Sequence, residues 1–416
     1  MLNLVRALAR NRFDGLVEAY RRRGPVFRLG PYTYLLGPDA NRFVITNPGL
    51  FRWSDAFELL KPVVGTTSMI VSDGADHTRR RRLVQPAFHH RHVNEYLAIL
   101  AADSDRMIDG WESGRELDLY GEFRRALRRM NVQSLFGARI GARADEFGEQ
   151  LEPMMTLIDR LPAVVNTHRR FRTPSWRRAM AGKEATDQQI LAEIRRLRNT
   201  GDEDGRVLGA LVASDLSDVE IRDQVIGLIA ASFETTSAAM SWTVHALLAN
   251  EGTWDTAKAE VDRVLGDRAP TAEDLPDLVY LRGVIQESLR MWPPAWLSVR
   301  VPAEDFTFEG HRIKAGRQVF YSPYVTHRLA EIWPEPDRFL PERWETAKPA
   351  PHEFLPFGGG PHRCVGATLA TTELTVMLAR LLARVGIKTA PGPVVPSGVT
   401  TMRPRGGLPA VVTKNS

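Results

Sequence analysis

Cysteine is almost absent from this chain: Cys364 is the only one in 416 residues. A single thiol cannot form an internal disulfide, so the disulfide frameworks of small secreted proteins are excluded. We therefore expect a reducing, cytoplasmic location.

The sequence also lacks an uninterrupted run of about 20 apolar residues, the length that a membrane-spanning helix needs. Three arginines interrupt the apolar residues of segment 1–24, and no small-residue cleavage site follows it. We expect an amphipathic first helix there. Asp14 and Glu18 disfavour the alternatives, which are a transit peptide and a membrane-surface anchor.

Gly/Ser linkers, low-complexity tracts and internal repeats are missing too, so we expect one domain over residues 1–416. The 55 basic residues exceed the 50 acidic ones only slightly, for a net charge of +5. Aromatic residues are not interleaved with the basic ones, which argues against nucleic-acid binding. A local basic surface for an acidic protein partner is the better interpretation.

Helical periodicity dominates from the hairpin predicted around residues 31–32 to about residue 290. The capping box SDVE, residues 217–220, opens an apolar run that predicts a buried central helix over 218–250, roughly 50 Å long. The remaining predicted elements are a helix over 278–291, short strands between 298 and 322, an irregular stretch over 333–364, and a helix over 365–385 that closes on Gly386. The chain is therefore predicted to be mainly α with a minor β portion.

Polar residues interrupt the central helix between positions 232 and 237. A buried carboxylate such as that of Glu234 is costly unless it is paired or solvated. One interpretation is an exposed patch whose hydroxyls bond to the preceding turn. The other is a proton-handling site, with Glu234 and Thr235 beside a locally loosened turn and internal water.

Two further pairs of residues have helical spacing. Glu287 and Arg290 lie three apart on one helix face, either as a surface ion pair or as a buried pair that fixes geometry. His77 and Arg81 lie four apart, and indicate either a solvated basic face or a phosphate-binding stripe.

The cysteine stands in PFGGGPHRCVG, residues 356–366, just before an apolar helix. N–H groups at the start of that helix would stabilise a thiolate at Cys364. The three glycines would allow a tight turn and a close approach to a neighbouring group. A thiolate held in this way faces a metal or an electrophile, and the competing interpretations are a reactive nucleophile and an inert core thiol.

This loop matches the pattern Phe-Gly-x-Gly-x-His-x-Cys-x-Gly, and here the sequence resembles a cytochrome P450 of the soluble bacterial type. AASFETT at 230–236 is similar to that family's oxygen-activating helix segment. Glu287 and Arg290 match its Glu-x-x-Arg motif, and PERW at 341–344 matches the segment that packs on this motif. In DGADHTRRRR, YVTHR and the cysteine loop, the chain is most similar to an orphan family of mycobacteria and related actinobacteria.

The resemblance implies the cytochrome P450 fold, with a long central helix over the haem, a proximal cysteine loop and small β-sheets. It also implies haem b (iron protoporphyrin IX), with the iron bound by Cys364. The other residues that it assigns to the haem are His77, Arg81, Ala231, Thr235, Arg300, Pro356, Phe357, Gly358, His362, Val365 and Gly366. The two histidines and two arginines of this set would neutralise the propionates, and Phe357 would shield the sulfur.

The implied activity is that of a haem-thiolate monooxygenase. Such an enzyme activates O2 with two externally supplied electrons and hydroxylates or epoxidises a hydrophobic molecule of lipid, terpenoid, steroid or polyketide type, here in secondary metabolism. Glu234 and Thr235 would be the catalytic, proton-delivering residues. The residues expected to border the substrate are Ala231, Trp296, Leu297 and Ser298, with regions 57–70 and 155–185 shaping its site. Those expected to be structural are Glu287, Arg290 and Arg343.

The sequence contains no flavin, nicotinamide or iron–sulfur motif, so a ferredoxin and a ferredoxin reductase would supply the electrons. The arginines expected to attract an acidic ferredoxin are Arg79, Arg80, Arg82 and Arg363. We expect a monomer. Two alternatives stay open: a haem-thiolate peroxygenase or isomerase that needs no redox partner, and a non-enzymatic haem-binding sensor.

Two positions depart from the family's pattern. Ser232 stands where glycine is usual before the acid–alcohol pair, which adds a hydroxyl beside the expected oxygen site and affects both helix distortion and coupling. Thr371 stands where many relatives carry arginine in the closing helix, and we expect little effect there.

Overall fold

The computed structural model describes residues 11–201 and 206–414. Helix makes up 60% and strand 11%, which confirms the mainly α class with a minor β portion. The first helix begins at Arg12, because the Asn11 side chain caps it by accepting from two backbone N–H groups. The part of the amphipathic helix that we expected over residues 1–10 lies outside the described residues.

The helices follow one another along the whole described chain. They are α1 (Arg12–Arg23), α2 (Pro38–Thr46), α3 (Trp53–Ala56), α4 (Lys61–Val64), α5 (Gly74–Val84), α6 (His90–Glu95), α7 (Leu97–Asp109), α8 (Leu119–Phe136), α9 (Ala138–Gly141), α10 (Ala144–Ile158), α11 (Pro162–Arg170), α12 (Pro174–Thr200), α13 (Arg206–Val212), α14 (Asp218–Ala249), α15 (Thr253–Val264), α16 (Val279–Met291), α17 (Pro323–Thr326) and α18 (Ala367–Arg384). The expected capping box opens α14, since Ser217 and Glu220 each bond to the other's backbone N–H. No helix among these residues is long and apolar enough to cross a membrane.

The strands are short. They are β1 (Val26–Leu29), β2 (Tyr32–Leu35), β3 (Phe51–Arg52), β4 (Glu116–Asp118), β5 (Ser298–Pro302), β6 (Phe306–Phe308), β7 (His311–Ile313), β8 (Val319–Tyr321), β9 (Val385–Thr389), β10 (Pro396–Ser397), β11 (Arg403–Pro404) and β12 (Pro409–Lys414). Their sheets have the orders β1-β2-β8-β5-β3, β6-β7, β4-β12-β9 and β10-β11. The predicted hairpin is confirmed, because β1 and β2 pair antiparallel with Val26 opposite Leu35.

The chain packs as two compact units. The first unit comprises the described residues up to Ala56 together with Gln286–Cys364, and the second comprises Phe57–Ile285 and the described residues from Val365 on. The single domain expected over residues 1–416 stays a prediction.

In the first unit, the five-stranded sheet carries a buried apolar cluster on which the cysteine loop rests. The cluster draws on β1, β2, α2 and β8, and its buried members include Leu35, Val44, Tyr321 and Leu355. Leu355 immediately precedes PFGGG, so the start of the cysteine loop is anchored in this core.

The C-terminal part of α16 holds a buried ion pair in the first unit. Glu287 and Arg290 are fully buried and meet through two contacts of 2.8 and 2.9 Å. Arg343 donates to the same carboxylate over 3.0 Å, and the Trp344 indole nitrogen donates to it over 3.0 Å. The interpretation of a buried pair is confirmed, and that of a surface pair is wrong.

This pair also organises backbone that has little regular structure. The Arg290 guanidinium donates to three backbone carbonyls, those of His327, Pro336 and Arg338. The backbone N–H of Leu340 donates to Glu287 over 3.1 Å. These bonds satisfy buried polar groups that a helix or a strand ladder would satisfy elsewhere.

His327 connects the ion pair to the cysteine loop. Its Nδ1 faces the Arg290 carbonyl over 3.1 Å, and its Nε2 accepts from the Leu355 N–H over 3.1 Å. Burial, and then the positive charge of Arg290, lower the pKa of His327 to about 3, so the ring is neutral at neutral pH. Because the carbonyl accepts, Nδ1 carries the hydrogen and Nε2 is left as the acceptor.

In the second unit, α14 packs against α8, α12 and α18. The central helix predicted over 218–250 is confirmed as 32 residues, from Asp218 to Ala249. It is roughly 50 Å long at 1.5 Å per residue. Most of its side chains are buried, as the apolar run predicts.

The end of α18 differs from expectation. The helix stops at Arg384, and Val385 already has extended backbone angles. Gly386 is therefore not the residue that terminates the helix: it lies in β9 opposite Thr413 of β12. The sequence suggests a glycine stop, but the strand partner that captures this segment lies almost 30 residues further along the chain.

We predict that Glu287→Ala sharply lowers the yield of folded protein. Removing one partner of a buried ion pair leaves the other charge unpaired and costs about 3–5 kcal/mol. The measurement is the unfolding midpoint in urea, with Glu342→Ala, an exposed carboxylate one residue before Arg343, as the control. Wild-type stability in Glu287→Ala would show that the cluster does not hold the fold together.

Candidate functional site

The cysteine loop is an ordered turn that presents its thiol at the surface. Cys364 is exposed, and its backbone N–H donates to the Phe357 carbonyl over 2.9 Å. Gly358 donates to the Leu355 carbonyl and Arg363 to the Gly360 carbonyl, over 3.0 and 3.1 Å. These short-range bonds fix the sulfur's position without using the side chain of Cys364.

The loop requires glycine at three consecutive positions, for two different reasons. Gly358 and Gly360 have φ values of 66° and 67°, in the region that residues with a Cβ rarely adopt. Gly359 has ordinary angles, but a Cβ there would come within 2.6 Å of Ile45 on α2. The loop therefore needs glycine for conformation at two positions and for space at the third.

Arg300 and His362, which the family resemblance assigns to the haem propionates, both contact the ring of Trp53. The His362 and Trp53 rings are stacked, with centroids 4.1 Å apart and planes 1° from parallel. The Arg300 guanidinium lies 4.1 Å from the centre of the Trp53 ring. The two nitrogen-bearing groups are thus held in one stack with an indole.

Strand β5 fixes the Arg300 side chain further. Its guanidinium donates to the Tyr321 hydroxyl over 3.0 Å, to the Ser298 hydroxyl over 3.0 Å and to the Val299 carbonyl over 2.8 Å. Arg300 is 7% exposed, so the charge is held in place before any ligand arrives.

Sequence reasoning missed Trp53. It stands in FRWSD, just after the two-residue strand β3, and no motif or periodicity marks it. Its role depends on the pairing of β3 with β5, which brings segments about 250 residues apart together.

The residues expected to border the substrate after the double proline differ in exposure. Trp296 is buried, and its ring packs edge-on against Phe13 with centroids 4.6 Å apart. Leu297 and Ser298 are half-buried. Contact with substrate stays a prediction for all three.

In the second unit, the middle of α14 has one solvent-exposed face, called the open face below. Ala231 is exposed and Thr235, one turn later, is half-buried, in a helix whose other residues are mostly buried. The hydroxyls of Ser232, Thr235 and Thr236 donate to the carbonyls of Ile229, Ala231 and Ser232, over 3.0–3.1 Å. This pattern is the back-bonding of the first interpretation, and α14 is regular through the segment, without the loosened turn that the second expected.

Glu234 is held by charged and polar partners on α8. The Tyr120 hydroxyl donates to its carboxylate over 2.8 Å, and the Arg124 guanidinium forms an ion pair with it. Arg124 also contacts Glu152 over 2.6 Å. The ion pair with Arg124, which Glu234 shares with Glu152, therefore offsets the free-energy cost of burying the Glu234 carboxylate.

A second carboxyl group faces α14 from α18. Glu373 is fully buried and interacts with the Thr236 and Asn131 side chains. Burial raises its pKa well above the usual range, so the group is protonated at neutral pH. Sequence reasoning missed Glu373, because a glutamate in an apolar helix is normally an exposed residue.

His77 and Arg81 lie one turn apart on α5, where His77 is buried and Arg81 half-buried. Burial, and then the charge of Arg81, lower the pKa of His77. The lowered pKa leaves His77 neutral at neutral pH, so the pair offers one hydrogen-bonding ring beside one cation. Its partial burial does not fit a solvated basic face, and the anion-binding role stays a prediction.

The neighbouring arginines differ from expectation. Arg80 is buried and donates to Ser72 and Glu220, so it does not belong to a positive surface. Arg79 pairs with Asp215 over 2.9 Å and with Glu220 over 3.3 Å. Only Arg82 of this run is exposed without an ion pair to a described carboxylate.

A family model for cytochrome P450 matches residues 2–406. The chain belongs to the cytochrome P450 family. This P450 has an ordered thiol loop and a long helix with one open face.

Individual relatives and a solved structure support the same family. A Mycobacterium tuberculosis protein named as cytochrome P450 139 is 50% identical to this P450 over 386 residues, which are 89% of this chain and 90% of the relative. A Streptomyces melanosporofaciens protein named cyclooctat-9-en-7-ol 5-monooxygenase is 35% identical over 398 residues, 92% of this chain and 86% of the relative. The solved structure of retinoic acid-bound cyanobacterial CYP120A1 matches with a TM-score of 0.84 over 96% of this chain and 93% of that one, at 24% identity, which shows the shared fold.

This P450 is therefore a monooxygenase-family enzyme whose cofactor is haem. The described residues fit that group: an exposed thiol in a fixed loop, a preorganised arginine, and an open face in a buried helix. The role of each individual residue, Cys364 included, stays a prediction.

We predict that Cys364→His abolishes the red-shifted absorption band of the ferrous carbon monoxide complex, because that band requires a thiolate ligand. The measurement is the difference spectrum of reduced protein with and without carbon monoxide. Arg363→Ala, next to the thiol, is the control and should keep the band. A red-shifted band in Cys364→His would contradict the assignment of the iron ligand.

Proposed function

We propose that this P450 takes two electrons from a ferredoxin and its reductase and hydroxylates or epoxidises a largely hydrocarbon molecule. The observation that carries the proposal is the polar pair Glu234 and Thr235 beside the open face of an otherwise buried helix. The Streptomyces relative, whose name states a cyclic alkenol substrate, supports the substrate class.

Haem, when bound, supplies oxygen activation, which electron donation from a proximal thiolate favours. Cys364 would hold the iron, with Pro356, Phe357, Gly358, Val365 and Gly366 forming the turn around it. Arg300 and His362 would bind propionate, with Trp53 keeping both groups in position through the stack. His77 and Arg81 would also interact with the propionates, His77 through hydrogen bonding and Arg81 through its charge.

Thr235 and Glu234 would move protons. The Thr235 hydroxyl donates its hydrogen to the Ala231 carbonyl, so Oγ1 can accept a second hydrogen bond from the open face. Glu234 would take up a proton on its carboxylate, which requires that its ion pair with Arg124 open. Glu152 is placed to receive the arginine when this happens, because it already shares it.

In the first unit, Leu297 and Ser298 would contact substrate, next to Trp296, which packs rigidly against Phe13. In the second unit, Ala231 would contact substrate from the open face of α14. These side chains are largely apolar and carry few hydrogen-bonding groups, which suits a hydrocarbon skeleton. We place the reaction in the cytoplasm, in a single domain, since the lone thiol needs a reducing compartment.

The central experiment compares two sources of oxidising equivalents with the same purified holoprotein. Cyclic alkenols that shift the haem iron from low to high spin are incubated either with a ferredoxin, its reductase and NADPH, or with hydrogen peroxide alone. We expect an oxygenated product in the first mixture and little in the second. Product from peroxide alone would indicate a peroxygenase, and no spin shift with any hydrophobic compound would favour a haem-binding sensor.

We predict that Thr235→Ala uncouples the reaction. Reductant consumption should persist while product falls and peroxide or water rises, because the hydroxyl positions the proton rather than the substrate. The measurement is the ratio of product to NADPH consumed.

Thr235→Ser is the matched control, since it keeps the hydroxyl and should restore coupling. Unchanged coupling in Thr235→Ala would remove this residue from the mechanism. Ser232→Gly would then test whether the extra hydroxyl of this chain has taken over the function.

We predict that reduction by an acidic ferredoxin slows steeply with salt. The reason is that Arg82 and Arg363 are exposed cations, and the Debye length falls from about 10 Å at 0.1 M to about 3 Å at 1 M. The measurement is the second-order rate by stopped flow, which Arg82→Glu or Arg363→Glu should lower at low salt. Arg79→Ala is the comparison and should have a smaller effect, because that side chain is already paired with Asp215. A rate insensitive to salt and to both reversals would mean docking by apolar contact.

A further inference from the structure

One segment of the second unit has a one-sided charge. Residues 160–183 contain seven lysines and arginines and no aspartate or glutamate, although acidic residues are nearly as frequent as basic ones over the whole chain. Six of the seven are exposed arginines: Arg160, Arg169, Arg170, Arg172, Arg177 and Arg178. None of the six pairs with a carboxylate within the described ranges, whereas exposed arginines elsewhere, such as Arg22 and Arg268, do.

The same segment exposes large apolar side chains. Of the seven large hydrophobic residues that are exposed among the described residues, three lie here: Leu161 at 56%, Val164 at 37% and Phe171 at 70%. They are spaced by three and seven residues, which places them along one side of α11 and its end. Val165 points the other way and is buried, so α11 has an anchored face and an open apolar face.

The turn that carries Phe171 is ordered. His168 Nδ1 contacts the Thr173 hydroxyl over 2.7 Å, and the same hydroxyl accepts from the Trp176 N–H at the start of α12. Trp176 is buried and fixes the far side of the turn. Phe171 is therefore presented outward by a fixed scaffold.

The helix dipole explains only two of these arginines, Arg169 and Arg170, which lie in the last turn of α11, where positive charge is favoured. Arg177 and Arg178 lie near the N-terminal end of α12, where the helix dipole disfavours positive charge. Their clustering with Arg169 and Arg170 adds mutual repulsion. Unpaired charge at this density indicates an anionic partner outside the chain.

We infer that the α11 surface, residues 160–178, docks on an anionic phospholipid membrane. Protruding apolar side chains flanked by arginines are typical of helices that lie in the membrane interface. Each exposed arginine adds attraction to an anionic leaflet. A protein partner fits less well, because three exposed apolar side chains flanked by six arginines without ion pairs to described carboxylates combine the two features of membrane-interface helices.

The test is co-sedimentation of the full-length holoprotein with vesicles of phosphatidylcholine, with and without phosphatidylglycerol. We expect binding only to the anionic vesicles, weakening as salt is added. Arg169→Glu/Arg170→Glu should lower the partition coefficient at least about tenfold. Phe171→Ser should lower it several-fold.

The controls carry equal changes at other exposed sites: Arg263→Glu/Arg317→Glu for charge and Val279→Ser for apolar surface. Both should bind like wild type, and the haem spectrum of every variant reports that it is folded. Absence of binding to anionic vesicles, equal binding to neutral ones, or α11 variants that behave like their controls would each overturn the inference. So would an α11 charge reversal that slows reduction by ferredoxin and leaves vesicle binding intact, since the surface would then serve an acidic protein.

Discussion

The buried ion pair of Glu287 and Arg290 is the constraint on which the cysteine loop depends. Removing two charges from water is costly. The cost is offset because every guanidinium nitrogen of Arg290 and both carboxylate oxygens of Glu287 have a hydrogen-bond partner. Those partners include backbone that forms neither a long helix nor a strand. Through His327, the same network reaches Leu355, and so the turn that holds Cys364. A flexible loop would not fix the position of the thiol, so the ion pair serves chiefly to define geometry.

Two glutamates, one on the central helix and one packed against it, have different surroundings. Glu234 lies beside Arg124 and Tyr120 and keeps access to a charged partner. Glu373 has only neutral hydrogen-bonding groups and is protonated in consequence. The protonated state of Glu373 follows from these surroundings and not from its position in a helix.

The arginines likewise fall into two groups, which differ in burial and in hydrogen-bond partners. Arg80 and Arg300 are buried and serve fixed local contacts, whereas Arg82 and the arginines of the α11 surface stay unpaired and exposed. A count of basic residues along the chain cannot separate these groups. The net charge of +5 therefore understates how strongly parts of the surface attract anions.

The sequence by itself determined the class of fold, the central helix with its capping box, the hairpin and the cysteine motif, because these depend on local periodicity and on residues close together in the chain. The prediction for the end of α18 was wrong, because Gly386 pairs in a β-sheet with a strand almost 30 residues further along the chain. Tertiary structure alone decided that Glu287 is buried, that Arg80 is not on the surface and that Trp53 joins Arg300 to His362. Each of these depends on contacts between distant segments, and burial and pairing with such segments leave no mark in local sequence.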